Sequence, residues 1–101
     1  MGSMAIQSFK NKATEEINYG ISSKQARKLL PPQLHAKAQI KLARVGAATN
    51  LQDFQELRGN HFEALRGDRR GQFSIRINDQ FRICFRWDGK NASEVEIVDY
   101  H

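Results

Sequence analysis

The fold is decided in FSIRINDQFRICFRW, residues 73–87. Apolar side chains occupy alternate positions, Phe73, Ile75 and Ile77 and then Phe81, Ile83, Phe85 and Trp87, the period of a strand with one greasy face. For both runs to face one core, the turn between them must hold an odd number of residues. Asn78-Asp79-Gln80 supplies three, with Asn or Asp tolerating a left-handed position. This register sets Ile77 against Phe81, Ile75 against Ile83 and, on the other face, Arg76 against Arg82. Like charges directly across a strand pair cost up to about 1 kcal/mol. A fold tolerates that more easily where the face binds an anion.

Towards the C-terminus, EVEIVDY (94–100) repeats the alternation, with Val95 and Ile97 inward. The same parity pairs Phe85 with Ile97 and Trp87 with Val95 through a loop around Gly89 to Ser93. Arg86 then faces Glu96, and Arg82 faces Tyr100, beside the final residue His101. A bulge in either hairpin would displace these partners by one residue.

Before Gly59 the period is that of helices. Lys10 to Tyr19 are good helix formers, with Ala13, Ile17 and Phe9 on one side and Gly20 at the C-terminal cap. SSKQARKLL (22–30) is a second helical stretch, stopped by Pro31-Pro32. Pro32 opens a third, in which Leu34, Ala38, the Lys41 stem, Leu42 and Val45 follow helical spacing and Gly46 is the stop. NLQDF (50–54) reads as a one-turn capping box with Asn50 as cap and Asp53 as its partner. AIQSF (5–9) is short enough for a first strand. Helices first and strands last give an α+β domain, its N-terminal helices packed on one face of a small antiparallel sheet.

One domain is expected over residues 4–101, with residues 1–3 of the opening MGSM read as an expression scar before a natural start at Met4. A single cysteine, Cys84, makes no intramolecular disulfide, and no apolar run approaches the roughly 20 residues of a membrane span. The expectation is a cytoplasmic protein without a membrane partner. The three histidines and the cysteine lack zinc-site spacing, so neither metal nor other cofactor is expected. GDRRG (67–71) lacks the pattern of a phosphate loop.

Net charge is +5, and seven of the nine arginines (Arg58, Arg66, Arg69, Arg70, Arg76, Arg82, Arg86) lie between residues 58 and 86. Such a cluster is either a solvated sheet surface or a site for a polyanion, whose phosphates suit the guanidinium fork. An anion held by Arg82, with Arg76 and Arg66 nearby and Asp99, Tyr100 and His101 beside it, has the parts for cutting RNA. The 2′-hydroxyl is the nucleophile, so the protein supplies a base, an acid and cations for the charge on phosphorus. His101 serves in proton transfer or frays with the terminus; Tyr100 is a catalyst or a half-buried sheet aromatic; Asp99 transfers a proton or positions an arginine. His61, in RGNHFEAL (58–65), is a minor catalytic candidate, and His35 reads as a surface or packing residue.

Taken together, SFKNKATEEINYG, LPPQLHAKAQIKLARV, NHFEALRGDRRGQFSIRINDQFRICFRW and the terminal VEIVDYH resemble the HigB branch of the RelE/ParE toxin superfamily, the plasmid-maintenance killer toxins. The resemblance implies a RelE-like microbial RNase toxin fold, an endoribonuclease cutting mRNA in the ribosomal decoding site, and a HigA-type helix-turn-helix antitoxin as partner. It puts Arg66 where the family often carries a phosphate-contacting lysine, and Arg82 where it has the arginine that stabilises the cleaved phosphate. Asp99, Tyr100 and His101 fall on its C-terminal catalytic motif, and Gln80 on the rim. Glu63 occupies the column of an upstream histidine, with His61 two residues away. The expected set is therefore Arg82, Asp99, Tyr100 and His101 as catalytic, Arg66, Arg69, Arg70, Arg76 and Gln80 as RNA-binding, and His61 in reserve. The alternatives are a ParE-like toxin that poisons DNA gyrase without nuclease activity, and a small RNA-binding regulator that does not cut.

Overall fold

The computed structural model of the chain describes residues 6–56 and 58–100. The scar expected at residues 1–3 lies outside the described residues, as do Met4, Ala5, Leu57 and His101. The helices come first. α1 (Lys12–Asn18) begins where the Asn11 side chain accepts from the Thr14 amide at 2.9 Å. It ends in a Schellman pattern, with Gly20 at φ 77 and the Ile21 amide donating to the Glu16 carbonyl at 2.9 Å. Ser23 caps α2 (Lys24–Leu29) in the same way, its Oγ accepting from the Ala26 amide at 3.0 Å while its hydroxyl donates to Glu16 Oε1 at 2.5 Å.

Pro32–Leu34 form a 3-10 turn that leads into α3 (His35–Ala47). Gly46 does not stop this helix. It is buried within the last turn, and the ladder continues to the Ala48 amide, which donates to the Arg44 carbonyl at 3.1 Å. Tertiary burial here overrides a propensity penalty of about 1 kcal/mol. α4 (Gln52–Gln55) has the expected capping box: the Asp53 amide donates to Asn50 Oδ1 at 3.2 Å and the Asn50 amide to Asp53 Oδ2 at 3.4 Å. The bond from the Thr49 amide first, and then that from the Asn50 amide, hold the Asp53 carboxyl below its ordinary range.

Four antiparallel strands follow in the order β1 (Glu63–Ala64), β2 (Gln72–Arg76), β3 (Phe81–Trp87) and β4 (Ala92–Asp99). β1, two residues long, carries no alternation by which sequence could reveal it. Residues 6–9 are not a strand; they touch the β4 edge through two parallel bridges, Ile6 with Ala92 and Phe9 with Val95. The core lies between helices and sheet, where Ile17, Leu30, Leu42 and Val45 meet Ile75, Ile83, Phe85, Val95 and Ile97, all at most 1% exposed. His35 is a packing residue, its Nε2 2.8 Å from the Leu30 carbonyl oxygen.

The β2–β3 register is as the alternation requires, with Ile75 opposite Ile83 and Arg76 opposite Arg82. Its turn, however, uses no left-handed residue at positions 78–80; instead Asn78 Oδ1 accepts from the amides of Gln80 and Phe81 at 2.9 and 2.8 Å. The β3–β4 partners differ from expectation by two residues. Ile97 faces Ile83 and not Phe85, Glu96 faces Cys84 and not Arg86, and Val98, not Tyr100, faces Arg82. Asp88 closes a tight turn by accepting from the Lys90 and Asn91 amides, so β4 already starts at Ala92. A bulge then absorbs one extra residue between the Cys84 and Arg86 pairs, with Glu94 at φ 49. Up to the bulge the shift is even, so Glu96, Ile97 and Val98 keep their faces; beyond it the shift is three, and Trp87 faces Ala92 and not Val95.

Candidate functional site

The face of the sheet turned away from the helices has a transverse row at its centre: Glu63, Ser74, Cys84 and Glu96, one residue from each strand in direct register. Ser74 and Cys84 are fully buried. Their small side chains leave room for guanidinium groups to lie across the strands. Burial first of all, opposed by the charge of Arg69 and reinforced by that of Glu96, pushes the Cys84 thiol up to about 11.

Arg82 fills this room. Its Nε donates to Ser74 Oγ at 2.8 Å, its Nη2 donates to the His61 carbonyl and lies 3.6 Å from Glu63 Oε1, and its Cζ sits 5.5 Å from the Tyr100 ring centroid. The last distance is within cation–π range. With the side chain only 12% exposed, the guanidinium is fixed in direction. The register shift moves Tyr100 from directly opposite Arg82 to the diagonal, two residues beyond Val98, and its ring still reaches the arginine. The Tyr100 amide donates to the Gln80 carbonyl at 2.6 Å, and Gln80 Nε2 donates to Asp99 Oδ2 at 3.1 Å. The end of β4 is thereby tied to the β2–β3 turn.

Arg76 extends the positive surface beside Arg82. Its Nη2 pairs with Asp79, and its Nη1 lies 3.3 Å from His61 Nε2. A guanidinium can only donate, so His61 Nε2 is the acceptor in this contact. His61 is held from both sides. The preceding Asn60 is buried, taking a hydrogen bond from Lys41 Nζ at 2.9 Å and donating to the Phe54 carbonyl at 3.0 Å. The following Phe62 stacks between Phe54 and Phe73, with centroids 5.6 and 5.5 Å away. His61 itself takes φ 44, a left-handed conformation uncommon outside glycine. The backbone turn aims its carbonyl at Arg82.

Across the row, Arg69 Nη1 donates to Gln72 Oε1 at 3.1 Å and to Glu96 Oε1 at 3.3 Å. Together with Val98, Asp99 and Tyr100 it lines an open depression of about 420 Å³. Arg86 pairs with Glu94, 3.5 Å away, and not with Glu96. Arg66 and Arg70 flank the 67–69 turn, both exposed and without an ion pair to any described residue.

Of the residues singled out from sequence, Arg82, Arg76, Gln80, Asp99, Tyr100 and His61 thus converge, Arg69 borders them, and Arg66 and Arg70 stand at the periphery. His101 lies outside the described residues. Sequence reasoning missed Ser74, the His61 carbonyl and Glu96 as the partner of Arg69. Ser74 was within reach of a register argument, since it shares the Arg76 face and sits one diagonal step from Arg82.

An antiparallel sheet with helices on one face and anchored arginines on the other is the frame of a RelE-like toxin. The chain belongs to the HigB-like toxins, RelE-like toxins of type II toxin–antitoxin systems, whose family model matches residues 7–101. It is similar to Toxin HigB-1 of Vibrio cholerae serotype O1 (strain ATCC 39315 / El Tor Inaba N16961), 33% identical over 84 residues that make up 83% of this chain and 84% of that one. Membership of a type II system entails an antitoxin partner. Among the described residues, no helix is long and apolar enough to cross a membrane.

Proposed function

We propose that the protein is a ribosome-dependent mRNA endonuclease that halts translation in the bacterial cytoplasm, restrained by a HigA-type helix-turn-helix antitoxin. The observation that carries this reading is the fixed guanidinium of Arg82, braced by Ser74 and the His61 carbonyl and overlain by Tyr100. A rigid cation that needs no reorganisation is what stabilises charge developing on a phosphorane-like transition state.

In this mechanism the scissile phosphate of mRNA in the decoding site lies against Arg82, with Arg76 and Arg69 on either side. Arg66 and Arg70 meet neighbouring phosphates, and Gln80 borders the nucleotide. A phosphate seated on Arg82 replaces the Glu63 carboxylate, a half-exposed partner whose ion pair is worth no more than about 1 kcal/mol. The Tyr100 ring, 39% exposed, stacks on a base or takes part in proton transfer. The 2′-hydroxyl loses its proton and attacks phosphorus in line, the 5′-oxygen leaves with a proton, and the products are a 2′,3′-cyclic phosphate and a 5′-hydroxyl. Asp99 and His101 move or orient these protons.

Primer extension on mRNA from ribosomes incubated with the toxin tests this reading. Wild type should give discrete cuts, and Arg82→Ala should reduce them by about 10²–10³-fold, the usual effect of losing one oxyanion donor. Full-rate cutting by Arg82→Ala would refute the assignment, and intact mRNA accompanied by broken DNA would point to gyrase.

A further inference from the structure

The excess positive charge of the molecule is not on the arginine face. Between Ile17 and Gln52 the chain carries Lys24, Arg27, Lys28, Lys37, Lys41 and Arg44 without one Asp or Glu, a charge of +6. From Asp53 onward eight Lys and Arg meet nine Asp and Glu, a charge of −1, and the first 16 residues balance two against two, which accounts for the total of +5. The structure sharpens the contrast. On the sheet Arg69, Arg76, Arg82 and Arg86 each face a carboxylate. None of the six cations on or beside α2 and α3 forms an ion pair with a described residue. Buried Lys41 registers this excess: its ammonium titrates below the ordinary lysine range because of burial first, and then the charges of Arg44, Lys37 and Arg76.

The same layer exposes aliphatic surface. Of the four large hydrophobic residues exposed among those described, Tyr19 (61%), Ile21 (51%) and Ile40 (56%) are here. Ile40 stands on the solvent side of α3 between exposed Lys37 and Arg44, three residues before it and four after it, on one helical face. A side chain at Gly20 would come within 3.8 Å of Gln39 Nε2, so the turn carrying Tyr19 and Ile21 lies against α3.

Scattered exposed hydrophobics need no explanation, but an aliphatic centre rimmed by unpaired cations is the anatomy of a protein interface. RNA would be served by aromatic stacking and arginine forks, whereas three of the five exposed cations are lysines and two of the three apolar residues are isoleucines. We propose that the antitoxin docks on this helical layer through an acidic amphipathic segment that packs apolar residues on Ile40 and sets carboxylates against Lys37 and Arg44. Opposite charge speeds encounter and selects this partner, while the aliphatic contact holds the complex. The docking surface follows from the toxin's membership of a type II system and does not depend on the nuclease reading.

The test is titration calorimetry of the full-length toxin with the antitoxin encoded beside its gene, at low and high salt. Ile40→Glu and the pair Lys37→Glu/Arg44→Glu replace exposed side chains, so circular dichroism should match wild type. Each should weaken binding by about 100-fold, the scale of a lost buried contact or charge pair, and the charge-reversed pair should also flatten the salt dependence. Lys90→Glu, a charge reversal of the same kind at a single exposed position in the 88–91 turn, should leave affinity unchanged. Affinities within about threefold of wild type for both helical variants would overturn the proposal. Lost ribosome binding with antitoxin affinity intact would overturn it too, assigning the layer to RNA. Cleavage assays on the same proteins keep this outcome separate: if Arg82→Ala still cuts mRNA, the nuclease reading fails and the docking result stands or falls alone.

Discussion

Ser74→Ala removes one oxygen from the centre of the sheet face and tests whether Arg82 is held or merely happens to lie there. Ser74 is fully buried, and its Oγ accepts from Arg82 Nε at 2.8 Å. A hydrogen bond to a charged group contributes about 1.5–3 kcal/mol. Arg82 keeps its contacts with the His61 carbonyl, Glu63 and Tyr100, so we expect the low end of that range or a little under it, about 1–2 kcal/mol. For a chain of this size, that is a fall of roughly 4–15 °C in Tm. The catalytic effect should be smaller than that of losing the cation. A guanidinium free to swing costs alignment, about 10–100-fold in cleavage rate. Thermal denaturation followed by circular dichroism, together with single-turnover cleavage on programmed ribosomes, measures both. A variant melting within about 1 °C of wild type and cutting at the wild-type rate would refute the idea that Ser74 positions Arg82.

Cys84 should resist a thiol reagent at pH 8 in the folded protein and react at once in denaturant, since burial removes access and raises its pKa to about 11; rapid labelling of the native protein would contradict its placement. Lys41 carries a pH signature. Its folded-state pKa is depressed, so below that pKa the native state holds an ammonium that the unfolded state accommodates better, and stability is recovered as pH rises towards the unfolded value. Urea titrations of wild type and Lys41→Met should therefore diverge in favour of wild type on going from pH 7 to pH 10, and a constant difference would show that Lys41 is not desolvated.

The two-residue period over 73–87 made the β2–β3 hairpin legible to the residue, including the opposed Arg76 and Arg82. Proline and the Asn50–Asp53 capping pair likewise placed breaks and caps, because they act through local bonds. What could not be read was non-local. Gly46 stays helical because the surrounding core buries it, and the bulge at Glu94 depends on where the Asp88 turn lets β4 begin. The site followed the same division. Arg82 and Tyr100 were visible as residue types on one face, but the bracing by His61 depends on Lys41, Asn60 and Phe62, anchors drawn from α3 and a loop of no regular period.

The central claim is that the anchored arginine face promotes attack by the RNA's own 2′-hydroxyl. Ribosomes programmed with an mRNA bearing a single 2′-deoxynucleotide on the 5′ side of the cut position test it most directly. Our account predicts that the toxin leaves this message intact while cutting its all-ribose twin to a 2′,3′-cyclic phosphate; cleavage of the deoxy message at the same position and rate would contradict it.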